Sequence, residues 1–231
     1  MSAVLDIAAA ERGHVYELLC AVFRRPLDAR RLERLRAPQM LAAFRAAGID
    51  PGENFARDST QTLLDRLAID YTQLFHGPGG RIAPYESIQT GDGPDLMGEA
   101  ARDVRRFMAE VGFTVAPESG ELPDHISVEL AFMAELVRRE TEAAHAGDAA
   151  TAAFAASLQR RFLAEHLGRW AGPFAHKVKA RATTPFYAAM ADLLAGFIDD
   201  EKTELAIHEG SHTARPKDST AAVNIAPGEA S

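Results

Sequence analysis

Apolar residues recur at helical spacing along most of the chain. Val4, Ile7, Ala8, Val15, Leu18, Leu19, Val22 and Phe23 predict a helix over 3–24, stopped by Pro26. Residues 28–48 read as one or two shorter helices broken near Pro38 and ending at Gly48, followed by an Asp50-Pro51-Gly52 turn. The clearest stripe is Leu63, Leu64, Leu67, Ala68, Tyr71, Leu74 and Phe75, which predicts a helix over 60–75 with Ser59 or Thr60 as its cap. From His76 to Pro94 the periodicity stops, and Gly and Pro dominate a long loop of the kind that often carries function. Helix resumes over 95–112 and breaks again at Phe113–Leu122. A strong helix over 123–146 follows, with Pro123 at its first position and Ile126, Leu130, Met133, Ala134 and Val137 facing inward. Further helices are expected at 149–168 and 184–201, with Trp170, Gly172 and Pro173 between them. From residue 206 no apolar period remains, so 206–231 reads as a disordered tail. With no repeat and no strand pair in view, the expected fold is all-α. It is a single-domain helical bundle of about eight helices over 1–205, with a long functional loop.

Composition supports helix and narrows the class. Hydrophobic residues make up 47%, while aromatics are only 7% and Ala, the strongest helix former, is abundant. The single cysteine, Cys20, lies in the apolar run Leu18–Phe23 and reads as a small buried hydrophobe, so no disulfide framework is expected. The first residues include Asp6 and Glu11, unlike a signal peptide. No apolar run approaches the ~20 residues of a membrane span, so a cytoplasmic location without membrane insertion is expected. Residues 51–125 hold thirteen acids against six bases, which accounts for nearly all of the net charge of −8. That balance argues against nucleic acid and towards a basic partner.

Three local motifs suggest chemistry. His208-Glu209-Gly210-Ser211-His212 matches the zinc-protease string H-E-x-x-H, but Gly210, Ser211 and nearby Pro216 weaken the helix that chemistry needs. His76-Gly77-Pro78-Gly79-Gly80 is a glycine-rich turn without the lysine of a phosphate loop. Glu86, Ser87, Asp124 and His125 supply acid, hydroxyl and imidazole. Asp124 and His125 are adjacent, however, so on a helix they diverge by about 100° and suit two contacts to a bound chain better than a catalytic dyad.

Taken together, further segments carry a resemblance. Tyr71, Leu74 and Phe75 form an aromatic-x-x-Leu-Phe motif. Pro84, Tyr85 and Ser87 form Pro-aromatic-x-Ser after a Gly/Pro loop, and Glu121, Asp124 and His125 form E-x-x-D-H. Phe162 to Trp170 reads F-L-x-E-H-L-x-x-W, and Phe186-Tyr187 with Leu193-Leu194 resembles a last helix. In this order, over about residues 10–200, the chain resembles the TorD/DmsD/NarJ family of redox-enzyme maturation chaperones. The resemblance implies a non-enzymatic protein that binds the twin-arginine signal peptide, or the apo form, of a molybdopterin-containing oxidoreductase until its cofactor is inserted. It implies a monomer or homodimer and no resident cofactor. Weak guanine-nucleotide contact at Gly77–Gly80, or transient contact with the molybdenum cofactor, remains open. On this reading Glu86, Glu121 and Asp124 supply charge to the arginines, and Tyr71, Leu74, Phe75, Pro84 and Tyr85 supply an apolar floor, with Ser87 and His125 beside them. The alternatives are a NarJ-like role on a client that is not exported and, from another class, a small metal-dependent hydrolase.

Overall fold

The computed structural model describes residues 9–77, 81–91, 98–114 and 120–213, with side chains from 11 to 205 within those stretches. Among these residues the chain forms eleven helices. They are α1 Ala9–Arg24, α2 Ala29–Leu35, α3 Pro38–Ala46, α4 Glu53–Arg57, α5 Thr60–Phe75, α6 Glu86–Gln89, α7 Glu99–Glu110, α8 Ile126–His145, α9 Ala149–Glu165, α10 Leu167–Arg181 and α11 Pro185–Thr213.

Local chemistry explains most boundaries. Asp28 caps α2 by accepting from the Arg31 N–H at 2.8 Å, Pro38 opens α3, and Ser59 caps α5 through the Thr62 N–H. Helix α8 starts later than Pro123 predicts. His125 is its N-cap, its Nδ1 accepting from the Ser127 N–H at 3.1 Å. The bundle is organised on α8, whose first turn, 126–130, is buried on every side. Leu130, Phe132, Met133 and Leu136 have no exposed surface. Helix α1 lies along α8, α9 packs on its other flank, and α10 pairs with α11.

Four expectations are corrected. The stretch around Trp170, Gly172 and Pro173 is not a break but helix α10, because Trp170, Phe174 and Val178 form one fully buried i, i+4, i+8 stripe. Tertiary burial of that stripe outweighs the proline inside it. The break falls instead at His166, where the chain turns sharply between α9 and α10. A Cβ on Gly168 would lie 2.4 Å from the Leu163 carbonyl oxygen, so only glycine fits this joint. The short helices α4 and α6 have no periodic signature of their own. Lastly, α11 runs to Thr213, past the boundary read at 205. The H-E-x-x-H string is therefore on helical backbone, its side chains outside the described ones. Residues 1–8, 78–80, 92–97, 115–119 and 214–231 lie outside the described residues, and with them much of the glycine turn, the expected start of α7 near Asp95, part of the break read at 113–122 and most of the tail.

Buried polar groups fasten the helices at fixed points. Asp70 on α5 accepts from the backbone N–H groups of Thr183 and Thr184 and from the Thr184 hydroxyl, capping α11 from across the core. On α1, Arg12 makes a two-pronged pair with Glu201 of α11 and also reaches Gln159 of α9. No described helix is long and apolar enough to cross a membrane.

Candidate functional site

The end of α5 and the start of α8 meet across the segment 81–91. The Ile82 N–H donates to the Leu74 carbonyl at 2.8 Å, returning the loop to α5. Two further main-chain bonds, Glu86 N–H to Asp124 oxygen and Ile126 N–H to Pro84 oxygen, both 2.9 Å, join Tyr85 and His125 in an antiparallel bridge. The rings of Tyr85 and His125 meet edge to face at 5.1 Å. This bridge is a rigid wall, and its two faces differ.

On the outer face lies a groove of about 500 Å³. Tyr71, Phe75, Pro84 and Tyr85 form its apolar surface, and Glu121 and His125 stand beside them. Tyr71 is held by donating its hydroxyl to the Phe23 carbonyl at 3.2 Å, and its ring packs on Phe75 at 4.8 Å. His125 is 4% exposed and accepts at Nδ1, so burial and the nearby Arg24 and His76 charges lower its pKa to about 4. It is therefore a neutral imidazole at physiological pH. Its Nε2 lies 3.7 Å from a Glu121 oxygen. Partial burial raises the Glu121 pKa, while Arg24 and His76 pull it back.

On the inner face lies a set of buried carboxylates. Asp124 has no exposed surface, and one oxygen accepts from the Ser87 hydroxyl at 2.6 Å and the Ser87 N–H at 3.2 Å, capping α6 in trans. Its other oxygen, Oδ1, is buried without a hydrogen-bond partner among the described residues. Glu86, 1% exposed, meets His166 at 3.1 Å. Glu129 accepts from the Trp170 indole N–H at 3.1 Å. Burial, followed by the neighbouring Glu86 charge, holds the Glu129 pKa well above the usual carboxylate range. A proton on this carboxyl answers the repulsion from Glu86, and Oε1, which has no hydrogen-bond partner among the described residues, can carry it. Because this acid is raised in the fold, its contribution to stability is present at low pH and is lost as pH climbs above the ordinary carboxylate value. Glu129→Gln, which keeps an acceptor for Trp170, is expected to raise Tm at pH 8. That gain should close as pH falls towards 4.5, as thermal melts across that range would show.

The expected site residues thus separate. Tyr71, Phe75, Pro84, Tyr85, Glu121 and His125 line the groove. Leu74 belongs to the core, and Glu86, Ser87 and Asp124 sit behind the wall. Of the three carboxylates expected to face an incoming chain, Glu121 lines the groove, while Glu86 and Asp124 are buried behind the wall, where Asp124 caps α6 from inside. Sequence reasoning missed Arg24, Arg81, Ala83 and Ile88, which with His76 complete the lining, and Glu129 of the buried set, whose His166 and Trp170 it noted only within a motif and not as site residues. Glu129 was detectable, since it falls three residues after Ile126 and four before Met133 on an inner face. Arg24 and Arg81 lie at a helix end and in a loop, where periodicity carries no information. Among the described residues no cluster of His, Cys, Asp and Glu has the geometry to hold a metal ion.

The chain is similar over most of its length to known proteins. It is 27% identical over 210 residues to the chaperone protein TorD of Shewanella piezotolerans, covering 82% of this chain and 90% of that one. It is 30% identical over 197 residues to the chaperone protein TorD of Shewanella loihica, covering 79% and 87%. Its fold matches a candidate redox enzyme maturation protein from Archaeoglobus fulgidus with a TM-score of 0.51 at 21% identity, over 81% of this chain and 93% of that one. The family model described as nitrate reductase delta subunit matches residues 34–176, well over half of the chain. The chain therefore belongs to the nitrate reductase delta subunit family, the TorD/NarJ group of non-enzymatic chaperones for redox-enzyme maturation.

Proposed function

We propose that this chain is a cytoplasmic chaperone that holds the N-terminal export signal of an apo molybdopterin oxidoreductase in the groove between α5 and α8. The observation that carries the reading is the groove itself. It is concave and aromatic-floored, and its wall is fixed by main-chain bonds rather than by mobile side chains. An extended apolar segment can bury side chains against Tyr71, Phe75 and Tyr85, and Glu121 can pair with one arginine preceding that segment.

Calorimetric titration with a synthetic segment of two adjacent arginines followed by an apolar stretch tests this. Ile88 lines the groove and is only partly buried, so Ile88→Asp places a charge in the apolar path without opening the core. The expected result is at least a tenfold loss of affinity, roughly the cost of desolvating one unpaired charge at a protein surface. Unchanged affinity would mean that the segment binds elsewhere. Equal affinity for a segment lacking the arginines would favour the NarJ-like role on a client that is not exported.

A further inference from the structure

The groove's charge is opposite to that of the block of sequence that builds most of it. Residues 51–125 are strongly acidic, yet the groove is lined by Arg24 and Arg81 against the single carboxylate of Glu121. His125 adds no charge, being held neutral by its buried cap position. Some arginines elsewhere meet acids closely, and others, such as Arg30 and Arg45, make no ion pair among the described residues. Arg31 lies 3.1 Å from Asp28, Arg66 2.9 Å from Asp58, and Arg138 2.7 Å from Glu135. Arg24 acts on Glu121 through space but makes no ion pair within 4 Å, and Arg81 makes none either, among the described residues. Two guanidinium groups at the edge of an apolar groove are donors awaiting an acceptor.

We propose that Arg24 and Arg81 make the groove selective for a client segment carrying an Asp or Glu beside its apolar stretch. This inference rests on the groove being the client site, and it names the partner's chemistry more narrowly. Arg24 comes from the end of α1 and Arg81 from the loop after α5, so the two cations reach the groove from different elements. With Glu121 they give it both signs of charge. A bound segment is then oriented as well as held, its acid towards the arginines and its base towards Glu121.

Fluorescence anisotropy with three ten-residue peptides decides this. They share one apolar core and differ only in a flanking Asp, Asn or Lys. At 50 mM salt the Asp peptide is expected to bind roughly fivefold or more tightly than the Asn peptide, with Lys weakest, the sum of two exposed charge pairs. In an Arg24→Gln/Arg81→Gln double variant the Asp-to-Asn ratio should shrink below about twofold, and 500 mM salt should shrink it in the unaltered chain. Equal binding of Asp and Asn peptides to the unaltered chain, or an undiminished ratio in the double variant, overturns the proposal while leaving the groove as the client site. If none of the three peptides binds, the groove reading falls and this inference falls with it.

Discussion

Arg12→Ala is expected to cost about 3–5 kcal/mol of folding stability, the usual cost of leaving one member of a buried pair alone. Arg12 donates from Nε and Nη2 to the two oxygens of Glu201 at 2.7 and 2.8 Å, and Nη2 also reaches Gln159 at 2.7 Å. Gln159 in turn donates to Glu140 of α8 at 2.7 Å, so the guanidinium ties α1, α8, α9 and α11 together. Without it Glu201 keeps, among the described residues, only the Tyr16 hydroxyl, 2.9 Å away, and stays buried. Urea unfolding would give the loss directly. Removing both charges with Arg12→Met and Glu201→Leu should restore most of it, because two apolar groups need no solvation. A loss below about 1 kcal/mol for Arg12→Ala would show that water reaches Glu201.

The second large effect follows pH. His125 has a folded pKa of about 4 against about 6.5 for a free imidazole. A base depressed in the fold stabilises fully above its unfolded pKa, and that stability drains away as pH falls from about 6.5 towards 4. The size is about 3 kcal/mol, since each unit is worth about 1.4 kcal/mol and the side chain is almost wholly buried. The cause is burial first, then the nearby Arg24 and His76 charges. A proton on Nδ1 would also remove the acceptor that caps α8 at Ser127. Asn is a good N-cap without a titrating group. In His125→Asn the stability difference between pH 7 and pH 4.5 should shrink by roughly 2–3 kcal/mol relative to the unaltered chain. Urea unfolding at both pH values would measure it, and an unchanged difference would place the acid sensitivity in other groups.

How much of this was legible beforehand depends on the element. Helix α5 was read residue for residue, because Ser59 caps it and its apolar stripe is unbroken. Pro38 marked the break within 28–48, where one or two helices were expected and two form. Helix α10 was not legible, because Gly172 and Pro173 are local stop signals, and only the burial of Trp170, Phe174 and Val178 reveals that they are overruled. The Arg12–Glu201 tie was partly visible. Arg12 keeps register with Tyr16, Leu19 and Phe23, and Glu201 with Leu194, Ile198 and Leu205, so each is a charge on an inward stripe.

The candidate site divides in the same way. Tyr71, Phe75 and Tyr85 were singled out through the resemblance, Tyr71 and Phe75 also as part of the α5 stripe, while Tyr85 lies outside any helix. The facing of the site's acids was not legible. Glu86 and Asp124 are read identically to Glu121 in one dimension, and only the Tyr85–His125 bridge decides which side of the wall each occupies. Likewise, the acidic tally of 51–125 misjudges the groove, since most of those acids lie away from it and Arg24 enters from another part of the chain.

The most direct measurement replaces Ile88, inside the groove, or Phe154, 60% exposed on α9, with a photoreactive phenylalanine derivative. Each protein is then irradiated with the segment of two arginines and an apolar stretch. The account predicts a cross-link from position 88 and none from position 154. A cross-link from 154 with none from 88 would contradict it.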